Sequence, residues 1–485
     1  MKNNNNLVSK LSEKQLIEEN VRMDSICPDD AKYRTKSDPL RPYLSFDAEW
    51  KGCGEVQRAL LETRVEYNQA KSNDLILFDK AFKNFNSINA SLIEELLTHH
   101  DQLAVIEEFG RFMPEKLKSL LHPGTTSYDI LDTARSWLFK SAWNDVMKPV
   151  IQQAISKLCN ISENSMDYLQ VGRTHLQDTS PIIFGANMAG YARRFSDRLI
   201  KCDENFNSLK GKISGIVGTG ASIDMVIGEN LSEEFELDVL SKLNLVPDYA
   251  ASQIVQKEIL SDAGHSLTTM MLVLKDFAND IRLLYSSAIG EVTSRDNAKR
   301  LGGSSADAMK NNPINYENIK GKAKVVESGM SLLYELIASD LQRDLSGSVV
   351  ARYQPQLMMS QTYESFLRLN KALGNLSINE DRLKENLVPV QKNPSEAMVA
   401  ILRGEQWVHS KYGVGHDFVK NYGKIAKTNK LHLIDVCLDD PEFKLLYDKI
   451  SDNKKEILNG NFKKYTGHSV QRAKRNINYS REIIK

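Results

Sequence analysis

Four of the nine histidines, His99, His100, His122 and His175, fall in the first part of a 485-residue chain. Only His265 lies between His175 and His409. Imidazole titrates near neutrality, so acid–base work or anion binding is the chemistry such residues could do. Any one of them taken alone reads as a satisfied core or surface histidine. No H-E-x-x-H is present, and nothing else has metal-ligand spacing. A second candidate is Gly302-Gly303-Ser304-Ser305-Ala306-Asp307-Ala308-Met309-Lys310-Asn311-Asn312-Pro313. Its glycines and serines predict a loop. Two readings stand: a plain linker between helices, or a lid whose hydroxyl and ammonium close over a ligand. A third is the segment from Gln342 to Arg352, with Arg343, Ser346, Ser348 and Arg352. Guanidinium forks and hydroxyls suit a phosphate or carboxylate; an exposed helix end with ordinary ion pairs is the other reading. Gly215-Ile216-Val217-Gly218-Thr219-Gly220 lacks the strand, helix and downstream acid of a dinucleotide fingerprint, so its spacing predicts a turn or close packing.

Something must hold these residues, and the pattern around them is helical. Between Leu260 and Leu284 the apolar positions Leu260, Ala263, Leu267, Met270, Leu274, Phe277, Ile281 and Leu284 step by 3 and 4, one stripe on a helix. Met271, Ala278 and Tyr285 add a neighbouring stripe, which predicts packing on two sides. A second run, Ile319, Ala323, Val326, Met330, Leu333 and Ile337, has the same period. Long helices of this kind predict a bundle. Period-2 strands are scarce; a short hairpin is expected near Lys212–Ile227, where glycine and β-branched residues mix. Boundaries are expected near residues 121 and 375, with a helix start at Asn379-Glu380-Asp381. They divide the chain into a tail (1–30, with a short helix around Glu13–Glu19), then 31–121, 122–375 and 376–485. The lysine-rich stretch from Asp452 is expected to end in a solvated helix.

Composition sets outer limits. With 63 basic and 63 acidic side chains the formal net charge is +0, which argues against a global basic surface for nucleic acid or membrane. It leaves open an anionic small molecule held by a local cluster. A hydrophobic share of 41% is enough for a large core. Five scattered cysteines without a C-x-x-C pair suit neither a disulfide framework nor a zinc site. They point to the reducing cytoplasm. The first residues do not read as a secretory signal, and no stretch is apolar enough for a membrane span.

Taken together, the segments resemble the fumarase/aspartase superfamily, and within it the adenylosuccinate lyases most closely. Gly303 to Pro313 is similar to the signature G-S-S-x-M-P-x-K-x-N-P, and Ile314-Asn315-Tyr316-Glu317-Asn318 resembles its continuation. Thr98-His99-His100-Asp101 resembles T-R-H-D. His122-Pro123-Gly124-Thr125-Thr126-Ser127-Tyr128-Asp129 resembles H-x-G-x-T-S-x-D, extended by Asp132-Thr133-Ala134. Gly172-Arg173-Thr174-His175 is similar to G-R-T-H, followed by Phe184-Gly185. Ser214 to Thr219 resembles S-G-A-V-G-T, and Tyr465-Thr466-Gly467 the end of the C-terminal domain. The resemblance runs in one order from about residue 32 to 475.

It implies an all-α, three-domain fold with a long central helical bundle, assembled as a homotetramer whose active sites are built from three chains. It implies β-elimination of fumarate from adenylosuccinate and from the succinylated aminoimidazole carboxamide ribotide, in purine nucleotide synthesis, without a cofactor. By the same resemblance Ser304 matches the base and His175 the general acid. His100 matches a histidine that helps position acid and leaving group, and Glu317 an acid that orients His175. Thr126 and Ser127 match hydroxyls on the substrate carboxylate, and Lys310 and Asn312 lid contacts to it. Gln253 matches a substrate glutamine, and Arg343, Ser348 and Arg352 match nucleotide and phosphate contacts. Lys32-Tyr33 resembles an Arg-Tyr phosphate pair. Asp101, His122 and Thr174 sit in motifs that line the site.

The chain also departs from the pattern. Met-Pro of the signature is Asp307-Ala308, which frees the loop and places a carboxylate near Ser304, opposing deprotonation and repelling an anion. The arginine of T-R-H-D is His99, and Q-R-D is Gln256-Lys257-Glu258. Two alternatives follow: another fumarate-releasing lyase with an argininosuccinate-like substrate, or a catalytically altered relative kept for binding.

Overall fold

The computed structural model describes residues 27, 36, 38–295 and 310–485. The expected helix around Glu13–Glu19, together with Lys32, Tyr33, Ser304, Asp307 and Ala308, lies outside them. The fold is all-α, as the periodicity predicts. Its principal helices are α1 (Phe46–Glu66), α2 (Ser72–Asn84), α3 (Ser87–Ile93), α4 (Asp101–Gly110), α5 (Ser127–Ala142) and α6 (Lys148–Glu163). A hairpin of β1 (Leu169–Thr174) and β2 (Gln177–Ile183) follows. Then come α7 (Phe184–Asn207), α8 (Ala221–Ile227), α9 (Ser232–Lys242), α10 (Glu258–Leu284) and β3 (Val292–Ser294). After these are α11 (Ile314–Glu335), α12 (Ser346–Asn375), β4 (Leu376–Ile378), α13 (Glu380–Gln391) and short helices up to the last, α14 (Ser469–Ile483). β1 pairs antiparallel with β2, and β3 with β4. Among the described residues no helix is long and apolar enough to cross a membrane.

The chain divides into two compact units. The first holds the residues up to Ile151 with Leu199–Leu272 and Lys322–Leu367; the second holds Gln152–Arg198, Val273–Gly321 and Arg368–Lys485. The core of the first is a cluster of α1, α2, α4, α5 and α9, where the tilted rings of Phe78, Phe85 and Phe109 pack with Val56, Leu60, Ile130 and Phe235. Its share of the long helices packs closely: a Cβ on Gly264 of α10 would collide with Leu333 of α11, and Ser261 Oγ donates to Leu333 O at 2.8 Å. In the second unit α7 meets α10 through Tyr191 and Phe277, set edge to face at 5.0 Å. A separate core there joins Met398, Leu402, Phe418, Leu433 and Phe443.

The predicted long helices form close to their expected limits. On α10 Ala263, Leu267, Met270, Leu274, Phe277 and Ile281 are buried, and so are Met271 and Ala278 of the second stripe. Both stripes are therefore covered within one chain. Helix α11 ends at Glu335, so Ile337 of the expected run lies just past it, exposed. Asn379 caps α13 as expected, its side chain accepting from Arg382 N at 3.2 Å.

One expectation fails. No hairpin forms over 212–227; turns lead into α8. The backbone donors that a partner strand would take are used elsewhere. Lys212 N donates to Thr133 Oγ1 at 3.1 Å, and Ser214 N and Gly215 N both donate to Asp129 at 3.1 Å. Gly215, Gly218 and Gly220 have φ of 81°, 77° and 69°, the left-handed turns that the glycine spacing predicts.

Candidate active site

In the first unit the site grows from the N-terminus of α5. Asp129, on the first turn, reaches back to accept from Thr126 N at 2.6 Å, which caps the start of the helix and fixes the 122–126 loop. The same carboxylate takes Ser214 N, Gly215 N and the ammonium of Lys212, a pair that is fully buried. Thr126 and Ser127 are thus held at a helix start, where free N–H groups and the dipole favour an anion. Gly124 has φ 77° and gives its carbonyl to Ser222 Oγ at 2.7 Å, so the loop is tied at two points.

His100 faces Ser127. A π-helical turn, Glu94–Thr98, stops at His99 in the left-handed region (φ 49°), and His100 becomes the N-cap of α4. Its Nδ1 accepts from Leu103 N at 3.4 Å. The ring proton therefore sits on Nε2, which lies 3.1 Å from Ser127 Oγ and donates to it. Asp101 lies beside it, its Oδ1 3.6 Å from His100 Nδ1 and its Oδ2 3.9 Å from Arg352 Nη2.

His122 differs from His100. It also has a left-handed φ, 72°, and its Nδ1 accepts from Gln57 Nε2 at 3.3 Å. Burial is the main cause, with His100 and the Arg64 guanidinium pushing the same way, and it holds the pKa down at about 4, so the ring is neutral at physiological pH. Arg64 is itself buried and donates to Pro123 O at 2.6 Å. Among the described residues it has no acidic partner, and it adds positive potential under this loop.

The other half of this site is a clamp. Arg343 lies over the Tyr128 ring, 3.7 Å from guanidinium carbon to centroid, and donates to Gln253 Oε1 at 3.0 Å. Tyr128 OH and Ser348 Oγ are 2.9 Å apart. A concave surface is lined by Tyr128, Arg343, Gly347, Ser348 and Lys257. Guanidinium, phenol, hydroxyl and amide converge here as they would on a phosphate or nucleotide edge.

In the second unit His175 stands at the tip of the β1–β2 hairpin. Thr174 pairs with Gln177, so His175 and Leu176 alone form the loop, with φ of 54° and 60°. This is the geometry of a type I′ turn, ordinarily made with asparagine and glycine. Two bulky residues there store strain that presents an exposed imidazole. Arg173 is structural: its guanidinium forks onto buried Glu291, with Nη2 at 2.7 Å and Nη1 at 3.2 Å. Gln170 and Asn386 also donate to Glu291, at 2.6 and 2.8 Å. Lys310 is exposed, Asn312 half-buried, and Glu317 lies exposed on the first turn of α11.

The first unit therefore gathers His100, Asp101, His122, Thr126, Ser127, Gln253, Arg343, Ser348 and Arg352. The second carries Thr174, His175, Lys310, Asn312 and Glu317, and among the described residues no hydrogen bond joins His175 to Glu317. Sequence reasoning gave no role to Tyr128, Gln57 or Arg64. Tyr128 lay inside the quoted motif, between Ser127 and Asp129, and could have been found there. Gln57 and Arg64 sit on α1, outside every motif.

A family model described as "Lyase" matches residues 46–327. The adenylosuccinate lyase of Archaeoglobus fulgidus is 26% identical over 466 residues, covering 93% of this chain and 98% of that protein. That of Bacillus subtilis is 30% identical over 306 residues, covering 62% and 67%. Among solved structures, a fumarate lyase from Mesorhizobium sp. BNC1 superposes with a TM-score of 0.76 at 19% identity, covering 91% of this chain and 97% of that one, a likeness of fold.

Proposed function

Because the chain belongs to the fumarase/aspartase lyase superfamily, we propose that it is a C–N lyase that splits adenylosuccinate into AMP and fumarate. The succinylated aminoimidazole carboxamide ribotide is its second substrate. The observation that carries the substrate class is the clamp of Arg343, Tyr128, Gln253 and Ser348, whose donors suit a nucleotide phosphate better than an amino-acid side chain.

In this reading a base, Ser304, takes the proton next to a substrate carboxylate, and the electron pair forms the fumarate double bond as the C–N bond breaks. His175 protonates the departing nitrogen. Thr126 and Ser127 hold a carboxylate at the α5 N-terminus, and His100, its Nε2 proton on Ser127, orients that hydroxyl. Lys310 and Asn312 add charge and a donor from the signature segment, Glu317 orients His175, and Lys32 and Tyr33 join Arg343 and Arg352 on the phosphate. The domain division at 31–121, 122–375 and 376–485, a cytoplasmic location and a homotetramer with shared active sites belong to the same proposal. For assembly, the buried stripes of α10 offer no argument. The support comes from Leu345, Val349 and Tyr353, spaced at i, i+4 and i+8 along one face and 70%, 61% and 65% exposed.

The test is fumarate release, followed by absorbance, on both purine substrates. Turnover that Ser304→Ala abolishes is expected; no turnover by folded protein overturns the reading. Asp307-Ala308 motivates the alternative of an impaired relative. A large rate gain on restoring Met-Pro would establish it, and turnover of argininosuccinate alone would establish the other lyase.

A further inference from the structure

Helix α5 carries two carboxylates one turn apart, Asp129 and Asp132, and both are buried. Each holds a buried lysine from a different stretch of chain together with backbone N–H groups of that stretch. Asp129 pairs with Lys212 and accepts from Thr126 N, Ser214 N and Gly215 N. Lys212 Nζ also donates to Gly215 O at 3.0 Å. Asp132 pairs with Lys257 at 2.7 Å and accepts from Val255 N at 3.0 Å. The segment held by Asp132 carries Gln253, the partner of Arg343, and Ser252 Oγ donates to Gln342 O at 2.8 Å. Three segments, 122–127, 212–220 and 252–257, the first and last of which carry candidate binding residues, are thus hung on one rigid helix.

We propose that Asp129–Lys212 and Asp132–Lys257 are positioning pairs for the substrate site: the first sets Thr126 and Ser127 against His100, the second sets Gln253 against Arg343. A buried ion pair is a poor device for stability alone, since apolar residues of equal size often do as well or better. What the pairs supply is direction. A carboxylate fixed on a helix has lone pairs at fixed angles, and loops that donate to it inherit the helix's rigidity. Lysine at 257, where the resemblance predicts arginine, still meets Asp132, so that departure from Q-R-D preserves the anchor.

The proposal rests on the lyase reading, and the test separates the two. Variants that remove both charges of a pair, Asp129→Asn/Lys212→Met and Asp132→Asn/Lys257→Met, avoid an unpaired buried charge. Asp132→Asn/Lys257→Met is expected to raise KM at least tenfold with a smaller change in kcat, because Gln253 is a binding contact. Asp129→Asn/Lys212→Met is expected to change kcat and KM together, by tenfold or more. Lys257→Arg should recover most of what Lys257→Met loses. Kinetic constants within twofold of wild type in either folded double variant would overturn its pair. If wild type itself releases no fumarate, the lyase reading fails, and amide hydrogen exchange decides the anchors. Exchange at Thr126, Ser214 and Gly215, or at Val255, must quicken at least tenfold in the matching variant while α5 stays protected; unchanged exchange overturns the inference. If a double variant does not fold, Lys257→Arg against Lys257→Met still decides the second pair. Asp129→Glu, which keeps the charge and shifts the carboxylate, decides the first by the same exchange at Thr126, Ser214 and Gly215.

Discussion

Replacing Glu236 by glutamine should stabilise the protein at alkaline pH and leave it almost unchanged near pH 4.5. Glu236 lies on α9, only 8% exposed, and accepts from Ile213 N at 2.5 Å. Burial is the main force on its proton; the nearby Asp129 carboxylate and Glu233 push the same way, against Lys212 and the Ile213 N–H. The result is a pKa pushed up from 4.5 to about 7. Between those two values a rising pH strips the proton from the unfolded chain while the folded chain keeps it. Stability therefore falls across that window, fully retained below 4.5 and fully lost above about 7. At about 1.4 kcal/mol per unit, the loss comes to about 3 kcal/mol. Glutamine has the shape of the protonated acid, keeps an oxygen for Ile213 N, and cannot ionise. The assay is urea unfolding of both proteins at about pH 4.5 and pH 8, read by tryptophan fluorescence. Three of the four tryptophans, Trp50, Trp137 and Trp143, lie in the first unit, as Glu236 does, and Trp407 in the second, so most of the signal reports the right part of the molecule. The expected difference is close to zero at the lower pH and about 3 kcal/mol in favour of Glu236→Gln at the higher. Equal destabilisation at both would refute the reasoning, because it would mean an ionised Glu236 held by Lys212.

His122 carries the opposite linkage. Its folded pKa of about 4 is below the ordinary 6.5, so stability is retained above 6.5 and falls as the pH drops towards 4. His122→Asn, which tolerates the left-handed backbone, should flatten that acid limb, and an NMR titration of the wild-type ring should find no midpoint near 6.5. At the hairpin tip, Leu176→Gly removes a side chain from φ 60° and should stabilise β1–β2 by about 1 kcal/mol. Slower amide exchange across Val171 and Ile182 is the measure; faster exchange would mean that Leu176 is held by packing rather than strained.

Much of this protein was open to inspection in its sequence, and the reason is local. A stripe such as Ala263, Leu267, Met270, Leu274, Phe277 and Ile281 leaves a chain no cheaper way to bury its apolar groups than as one helix face. The motif residues His100, Thr126, Ser127, Arg343 and Ser348 were likewise legible from type and order. The β1–β2 hairpin was not, because its turn is built from histidine and leucine, where the local rules ask for asparagine and glycine. The hairpin expected over 212–227 went astray for the complementary reason. Its donors are claimed by Thr133 and Asp129, some 80 residues earlier in the chain. That Asp129 would meet Lys212, Asp132 meet Lys257, and Arg173 meet Glu291 was for the tertiary structure alone to decide. Coulomb attraction and desolvation depend on which groups the fold brings within a few ångströms, and residue type carries no record of that.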